Sequence, residues 1–191
     1  MISHVIDCAR EARSIASSQI VVLTSTDPSD DPLARYVETL GVEAYRGPLD
    51  SVFERFQQCA STRGAEWIAR INGDSPLMSP AILDAVIARA GADCDVVTTI
   101  VPRTLPKGQN SEVIRAEVLL KTDAAMLSAD ELEHVTPFFY RHPDRFRIVS
   151  LRSNRPELAS VNLSVDTIDD LHRLEAMPQA EIDRIVQVSF V

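Results

Sequence analysis

Apolar positions along this chain switch repeatedly between helical spacing and short unbroken runs. Ile2, Val5, Ile6 and Ala9 fall at i, i+3, i+4 and i+7, which predicts a helix over 2–16. IVVLTST at 20–26 is a β-branched run of the kind buried on both faces of a sheet. Asp31 and Pro32 then open a helix with Leu33, Tyr36, Val37 and Leu40 on one face, closed by Gly41. VEAYRG at 42–47 is a second strand. Ser51 to Glu54 is a capping box for a helix carrying Val52, Phe53, Phe56 and Cys59. EWIARING at 66–73 is a third strand, Ser79–Pro80 starts a helix through Ile82, Leu83, Val86 and Ile87, and CDVVTTIV at 94–101 is a fourth strand.

The second half is less regular. SEVIRA at 111–116 reads as a strand running into a helix over 117–127. Residues 130–141 read as helical, with Pro137 bending or breaking the helix. FRIVSLRS at 146–153 and SVNLSVD at 160–166 read as strands, Thr167 to Asp170 caps a helix, and a last helix covers 179–188. With no internal repeat and no linker, this is one domain over 1–191. Its alternation predicts an α/β fold, a Rossmann-like, mostly parallel sheet with helices on both faces. In the common doubly wound order the first strand lies mid-sheet. Because this chain opens on a helix, the expectation is that such a central strand and its following loop are lacking.

Charge and composition narrow the function classes. The net charge is −9, from 19 Lys and Arg against 28 Asp and Glu, and this opposes sequence-independent nucleic-acid binding. With 5% aromatic residues, stacking platforms for single strands are not expected. No apolar run is long enough to span a membrane. The three cysteines, Cys8, Cys59 and Cys94, are widely spaced and read as buried hydrophobes in a reducing cytoplasm. There is no P-loop, G-x-G-x-x-G, H-E-x-x-H or G-x-S-x-G.

What remains are polar residues at strand ends, where open α/β sheets place ligands. In RINGDSPLMSP, Asp74 follows an apolar strand and reads either as a ligand-bearing carboxylate or as a turn residue. Asp166 in SVDTIDD reads either the same way or as a helix-dipole partner. Two such carboxylates suit Mg²⁺. If they share an ion, a structure without it should show one perturbed carboxylate or a neighbouring Arg or Lys in place of the cation. The loop PRTLPKGQNSEV offers Arg103 and Lys107 to an anionic substrate. EHVTPFFYRHPDRFR holds His134, Tyr140, Arg141 and His142, while Phe138, Phe139 and Phe146 read as core or subunit interface.

Five blocks in order, STDPSDDPLA, WIARINGDSPLMSPAILDAVI, PRTLPKG with SEV, EHVTPFFYRHPDRFR and VNLSVDTIDDL, resemble the cytidylyltransferases that activate acidic sugars. The resemblance is closest to the spore-coat polysaccharide biosynthesis protein F group. It implies a nucleotide-diphospho-sugar transferase fold and attack of a sugar hydroxyl on the α-phosphate of CTP, with pyrophosphate leaving. It implies Asp74 and Asp166 as the catalytic, Mg²⁺-holding aspartates. Arg103, Lys107, Glu112, His134 and Arg141 would be substrate-binding residues, and the assembly a homodimer; the irregular 102–142 region, with its paired Phe138 and Phe139, is the expected interface.

The chain also departs from the family's pattern. The family begins with a strand and an Ala-Arg-x-x-Ser-x-Arg-Leu-Pro-x-Lys loop, whereas Met1 falls near the family's first helix, so the fold is expected to be N-terminally truncated. On that ground the chain is expected not to turn over CTP, and a non-catalytic paralogue binding a sugar acid or a partner subunit is the alternative. Transfer of a different nucleotide or sugar is a third reading. Asn110 replaces an expected Asp, and Leu132 an expected Arg.

Overall fold

The β-branched run after the first helix forms β1 (Val21–Ser25), which pairs in parallel with β2 (Glu43–Gly47), from Val21 opposite Glu43 to Ser25 opposite Gly47. The crossover between them is α2 (Asp31–Thr39). This computed structural model describes all 191 residues. The first helix, α1, covers Ile2–Glu11, shorter than the spacing predicts, and a single 3₁₀ turn at Ser17–Gln19 leads into β1. Next comes α3 (Val52–Arg63), where the expected capping box forms in half: the Ser51 hydroxyl accepts the Glu54 N–H without the reciprocal Glu54 side-chain bond, and Gly64 at φ 60° ends the helix.

A second sheet has the order β3 (Trp67–Arg70), β5 (Glu112–Arg115), β4 (Val96–Thr98) and β6 (Ile148–Ser150). β4 and β6 are parallel, and β5 runs antiparallel to both β3 and β4. β3, β4 and β6 therefore share one direction, and the fold is α/β with a mostly parallel sheet and one reversed strand. α4 (Pro80–Ala88) links β3 to β4. After β5 come α5 (Ala116–Lys121), α6 (Ala129–His134) and α7 (Pro137–Arg141). The helix expected over 117–127 stops at Lys121 and continues as a 3₁₀ turn.

The segment expected to be helical over 130–141 is broken just before Pro137. Val135, fully buried, adopts φ 69°, a conformation that β-branched residues avoid. α8 (Ile168–Glu175) and α9 (Gln179–Val186) complete the chain. The run at 160–166 is not a sheet strand. It is an extended segment with one bridge, Asn162 to Lys107, because its backbone groups are taken by loops rather than by a strand.

Helices cover both faces. One core cluster joins α1 and α4 to β4 and β5 through Cys8, Ile82, Val86, Val97 and Val113. The opposite face packs Phe53 of α3 with Val96, Ile114, Leu119, Phe138 and Phe139. Phe138 is 6% exposed and Phe139 wholly buried, so they belong to the core and offer no subunit interface. This removes the ground on which they pointed to dimerisation. All three cysteines are buried and free. No helix is long and apolar enough to cross a membrane.

The two sheets are not hydrogen-bonded to each other. Between β1 and β3 lies a cleft of about 760 Å³, walled mainly by apolar side chains.

Candidate functional site

The parallel strands end on one side of the sheet, and three loops converge there. After β3 the chain turns at Gly73–Asp74, and the Ser75 hydroxyl donates to Asp74 Oδ1 at 2.9 Å. The Asp74 carbonyl accepts the N–H of Val165 at 2.9 Å, so the segment bearing Asp166 is joined to the β3 turn one residue from Asp166 itself. The other side of that segment is held by Lys107, whose N–H donates to Val161 at 2.9 Å and whose carbonyl accepts from Leu163 at 2.8 Å. Lys107 Nζ then reaches Asp166 Oδ2 at 2.5 Å.

Gln109 fastens the third contact. It is wholly buried, its Oε1 accepts the Ser79 N–H at 3.0 Å, and its amide donates to the Leu77 carbonyl. Gly108, at φ 87°, allows the close approach, since a Cβ there would stand 2.7 Å from the Leu163 carbonyl carbon.

The segments bearing Asp74, Lys107 and Asp166 are therefore brought together through backbone bonds, with the Lys107 and Asp166 side chains paired. Carboxylate oxygens are the ligand type a hard divalent cation takes, and one of these two carboxylates, that of Asp166, is paired with the Lys107 ammonium. Arg103 is exposed in the same loop.

Glu112 is placed differently from a residue that touches substrate directly. It is 2% exposed and every oxygen is engaged: Oε2 accepts from Arg70 Nη1 at 2.7 Å, and Oε1 from the Thr136 hydroxyl at 2.7 Å and the Tyr140 hydroxyl at 2.6 Å. Burial and the neighbouring carboxylate push the Tyr140 phenol well above its ordinary range, so it remains a donor. Asn110, next along, has a buried Oδ1 without a partner. An aspartate in that setting would be a second buried charge two residues from Glu112.

His134 and Arg141 form a separate group on α6 and α7. Arg141 pairs with Asp130 at 2.5 Å and Glu131 at 2.9 Å, and His134 Nε2 lies 3.8 Å from Asp130. Both are half exposed. No hydrogen bond or ion pair joins this group to Asp74 or Asp166. Thr136, which follows Val135 at φ 69°, ties the start of α7 to Glu112 instead.

Sequence reasoning missed Arg70. The signal was present in WIAR, where a cation ends a strand otherwise fit for burial. It also missed the cluster after β1, where Asp30 Oδ2 accepts from Thr24 Oγ1, Ser25 N–H and Ser25 Oγ. Beside it, Arg46 binds the Ser25 and Asp27 carbonyls and pairs with Asp31 at 2.6 Å.

Helices on both faces of a mostly parallel sheet, with acidic and basic loops gathered at the strand ends, define an α/β fold whose ligand-binding edge is the carboxyl end of the strands. The sequence matches the cytidylyltransferase family over residues 1–189, and the chain belongs to that family.

It is 29% identical to an uncharacterised protein of Methanocaldococcus jannaschii, over 84% of this chain and 66% of that protein. It is 28% identical to spore coat polysaccharide biosynthesis protein SpsF of Bacillus subtilis, over 86% and 69%. A 3-deoxy-manno-octulosonate cytidylyltransferase of Anaeromyxobacter is 28% identical over 70% of this chain and 54% of its own length. The chain thus spans between about half and two thirds of these relatives.

Among solved structures, a cytidylyltransferase of Leptospira borgpetersenii superposes with a TM-score of 0.86 at 21% identity, covering 97% of this chain and 82% of that one. A CMP:2-keto-3-deoxy-manno-octonic acid synthetase complexed with CTP gives 0.66 at 16%, covering 92% and 86%. A Mycobacterium tuberculosis protein in complex with manganese gives 0.61 at 17%, covering 92% and 86%. These likenesses establish the fold.

Proposed function

We propose that this chain carries the catalytic domain of a cytidylyltransferase that activates an acidic sugar with CTP for surface-glycan biosynthesis. A sugar hydroxyl oxygen bonds to the α-phosphorus, the bond from that phosphorus to the bridging oxygen breaks, and pyrophosphate leaves with the electron pair. The hydroxyl proton passes to solvent or a nearby carboxylate. The observation that carries the reading is the joining of the Asp74 and Asp166 segments, with Lys107 on Asp166, at the carboxyl end of the strands.

Asp74 and Asp166 would hold Mg²⁺, which supplies charge neutralisation on the phosphate oxygens. The manganese complex of a structural neighbour supports a divalent ion. Lys107 would move from Asp166 to substrate oxygens once the ion is bound, and Arg103 would add a second cation in the same loop. Glu112 acts through Arg70, which it holds at the floor of the strand ends. His134 and Arg141 would bind the sugar from α6 and α7. A reaction of this kind needs positioning and charge stabilisation more than covalent help from the protein. One domain, a homodimer and a cytoplasmic location complete the reading.

The test is ligand-induced stabilisation, read by thermal unfolding with each nucleoside triphosphate, with and without Mg²⁺ and a panel of sugar acids. CTP with Mg²⁺ at a hundred times its Kd is expected to add about 2.7 kcal/mol. An equal response to ATP, GTP and UTP, or no response to any, overturns the reading.

A further inference from the structure

Arg70 ends β3 with a planar guanidinium whose N–H donors are fixed in a fork, and the protein uses only one corner of it. Nη1 donates to Glu112 Oε2 at 2.7 Å. Nε and Nη2 donate to nothing within the chain, and neither is enclosed, so both stay open to an incoming acceptor. These two nitrogens form the side-on edge of the group, whose parallel N–H bonds match the two oxygens of a carboxylate or phosphate. Arg147 shows the contrast in the same molecule. Its Nε and Nη2 close on the two oxygens of Asp95 at 3.0 and 2.7 Å, and its fork is spent.

A pair that served stability alone would gain more from the same two-pronged contact. Glu112 instead holds Arg70 by one nitrogen and gives its second oxygen to the Thr136 and Tyr140 hydroxyls. The Tyr140 proton is committed to Glu112, so Thr98 Oγ1, 2.8 Å away, donates to Tyr140. The backbone is bent toward the same carboxylate. Val135, at φ 69° and ψ −60°, makes a γ-turn of the rare hand, closed by the Thr136 N–H on the His134 carbonyl at 2.8 Å. That turn precedes the hydroxyl that reaches Glu112, and backbone held in such a conformation is concentrated at ligand sites. The arrangement fixes the plane of Arg70 and leaves its side-on edge unused.

Arg70 stands at the carboxyl end of β3, in the wall of the same cavity as Asp74. Glu112 cancels most of its charge, so a ligand on the open edge is held by two aligned hydrogen bonds more than by net attraction. An oxyanion offers two acceptor oxygens at the spacing of the fork, whereas a lone hydroxyl offers one. A lysine could supply the charge at this position but not the fork.

We propose that the Nε–Nη2 edge of Arg70 binds an oxyanion of the substrates, and that Glu112, Thr136 and Tyr140 are positioning residues that set the plane of its guanidinium. The oxyanion is the carboxylate of the acidic sugar or a phosphoryl group of the nucleotide, two sources of one chemistry. The inference rests on the transferase reading for its substrates, and inorganic phosphate tests the edge without them.

The experiment follows the Arg70 Nε–H signal by NMR as inorganic phosphate, CTP with Mg²⁺ or each sugar acid is added, with chloride at matched ionic strength as control. A saturable shift with at least one oxyanion, absent with chloride, is expected. A shift with phosphate and CTP assigns the edge to the nucleotide, and a shift with a sugar acid alone assigns it to the sugar. Arg70→Lys keeps a cation against Glu112, so it should lose less stability than Glu112→Ala while weakening the same ligand about tenfold or more. Thr136→Val should weaken that ligand severalfold, and Thr136→Ser, which keeps the hydroxyl, should restore it. No shift with any oxyanion, or an Arg70→Lys variant that binds as tightly as the unaltered protein, overturns the proposal. A phosphate shift with equal responses to ATP, GTP and UTP supports the edge and overturns only the choice of CTP.

Discussion

Arg70 and Glu112 sit opposite each other in the β3–β5 register and form an ion pair of 2.7 Å with side chains 13% and 2% exposed. Two hydroxyls occupy the other carboxylate oxygen, so the charge is fully solvated by protein. Removing one member of such a pair strands the other in a low-dielectric setting, at about 3–5 kcal/mol. For a chain of this size that is a fall in melting temperature of about 6–20 °C. Glu112→Ala should show it. Replacing both members by apolar residues, Arg70→Met with Glu112→Leu, should cost clearly less than the sum of the single changes. A Glu112→Ala loss below about 1 kcal/mol would show the pair is not buried as described.

Asp166 and Lys107 present the opposite case. Their pair is half exposed, and exposed pairs contribute about 0–1 kcal/mol. Asp166→Asn should therefore shift melting by less than about 4 °C. Asp74→Asn should be as mild, because the bond to Val165 uses the carbonyl. Both changes should abolish the Mg²⁺-dependent part of the CTP response, as should EDTA on the unaltered protein. Retention of that response in both variants would remove the metal from this pair of aspartates.

Much of this fold was legible because local signals agreed with tertiary demand. The Thr167–Asp170 box forms as its residues predict, and Ser51 caps α3 through the Glu54 N–H alone. Pro137 marks a real break between α6 and α7. Two features were not legible. The reversal of β5 depends on which strand edge the chain returns to, and nothing in SEVIRA encodes that. SVNLSVD has the alternation of a strand, but its hydrogen bonds go to Lys107 and Asp74 instead of to a sheet. At the site, Asp74, Lys107 and Asp166 were named from strand ends and loop charge, whereas Arg70 needed its partner 42 residues away to become visible.

Asp30 should be one source of acid sensitivity, beside Asp170, whose carboxyl is lowered equally far. Hydrogen bonds from the hydroxyls of Ser25 and Thr24 and from the Ser25 N–H lower its carboxyl to about 2. A folded value below the unfolded value of about 3.9 means that its contribution is present above about pH 4 and is lost as pH falls toward 2. Asp30→Asn cannot titrate, so its stability should fall less steeply between pH 4 and pH 2 than that of the unaltered protein. Parallel curves from denaturant unfolding across that range would assign the acid loss elsewhere.

Gly108 and Gly64 separate two costs that a substitution at a positive-φ glycine can carry. Both lie in the left-handed region, at φ 87° and 60°, where an L residue is strained by roughly 1–2 kcal/mol. Around Gly64 there is open space, so Gly64→Ala should lose about that much and leave ligand response intact. At Gly108 a Cβ would also stand 2.7 Å from the Leu163 carbonyl carbon and 2.8 Å from the Ser164 nitrogen, both backbone atoms that cannot swing aside. To relieve the contact, the 160–166 segment must move off the Lys107 backbone, breaking its two hydrogen bonds and carrying Asp166 away from Asp74. Gly108→Ala should therefore lose more stability than Gly64→Ala, speed amide exchange at Leu163 and Val165, and lose the Mg²⁺-dependent CTP response. Equal losses in the two variants, with exchange at Leu163 unchanged, would mean that the close approach at Gly108 does not hold the site together.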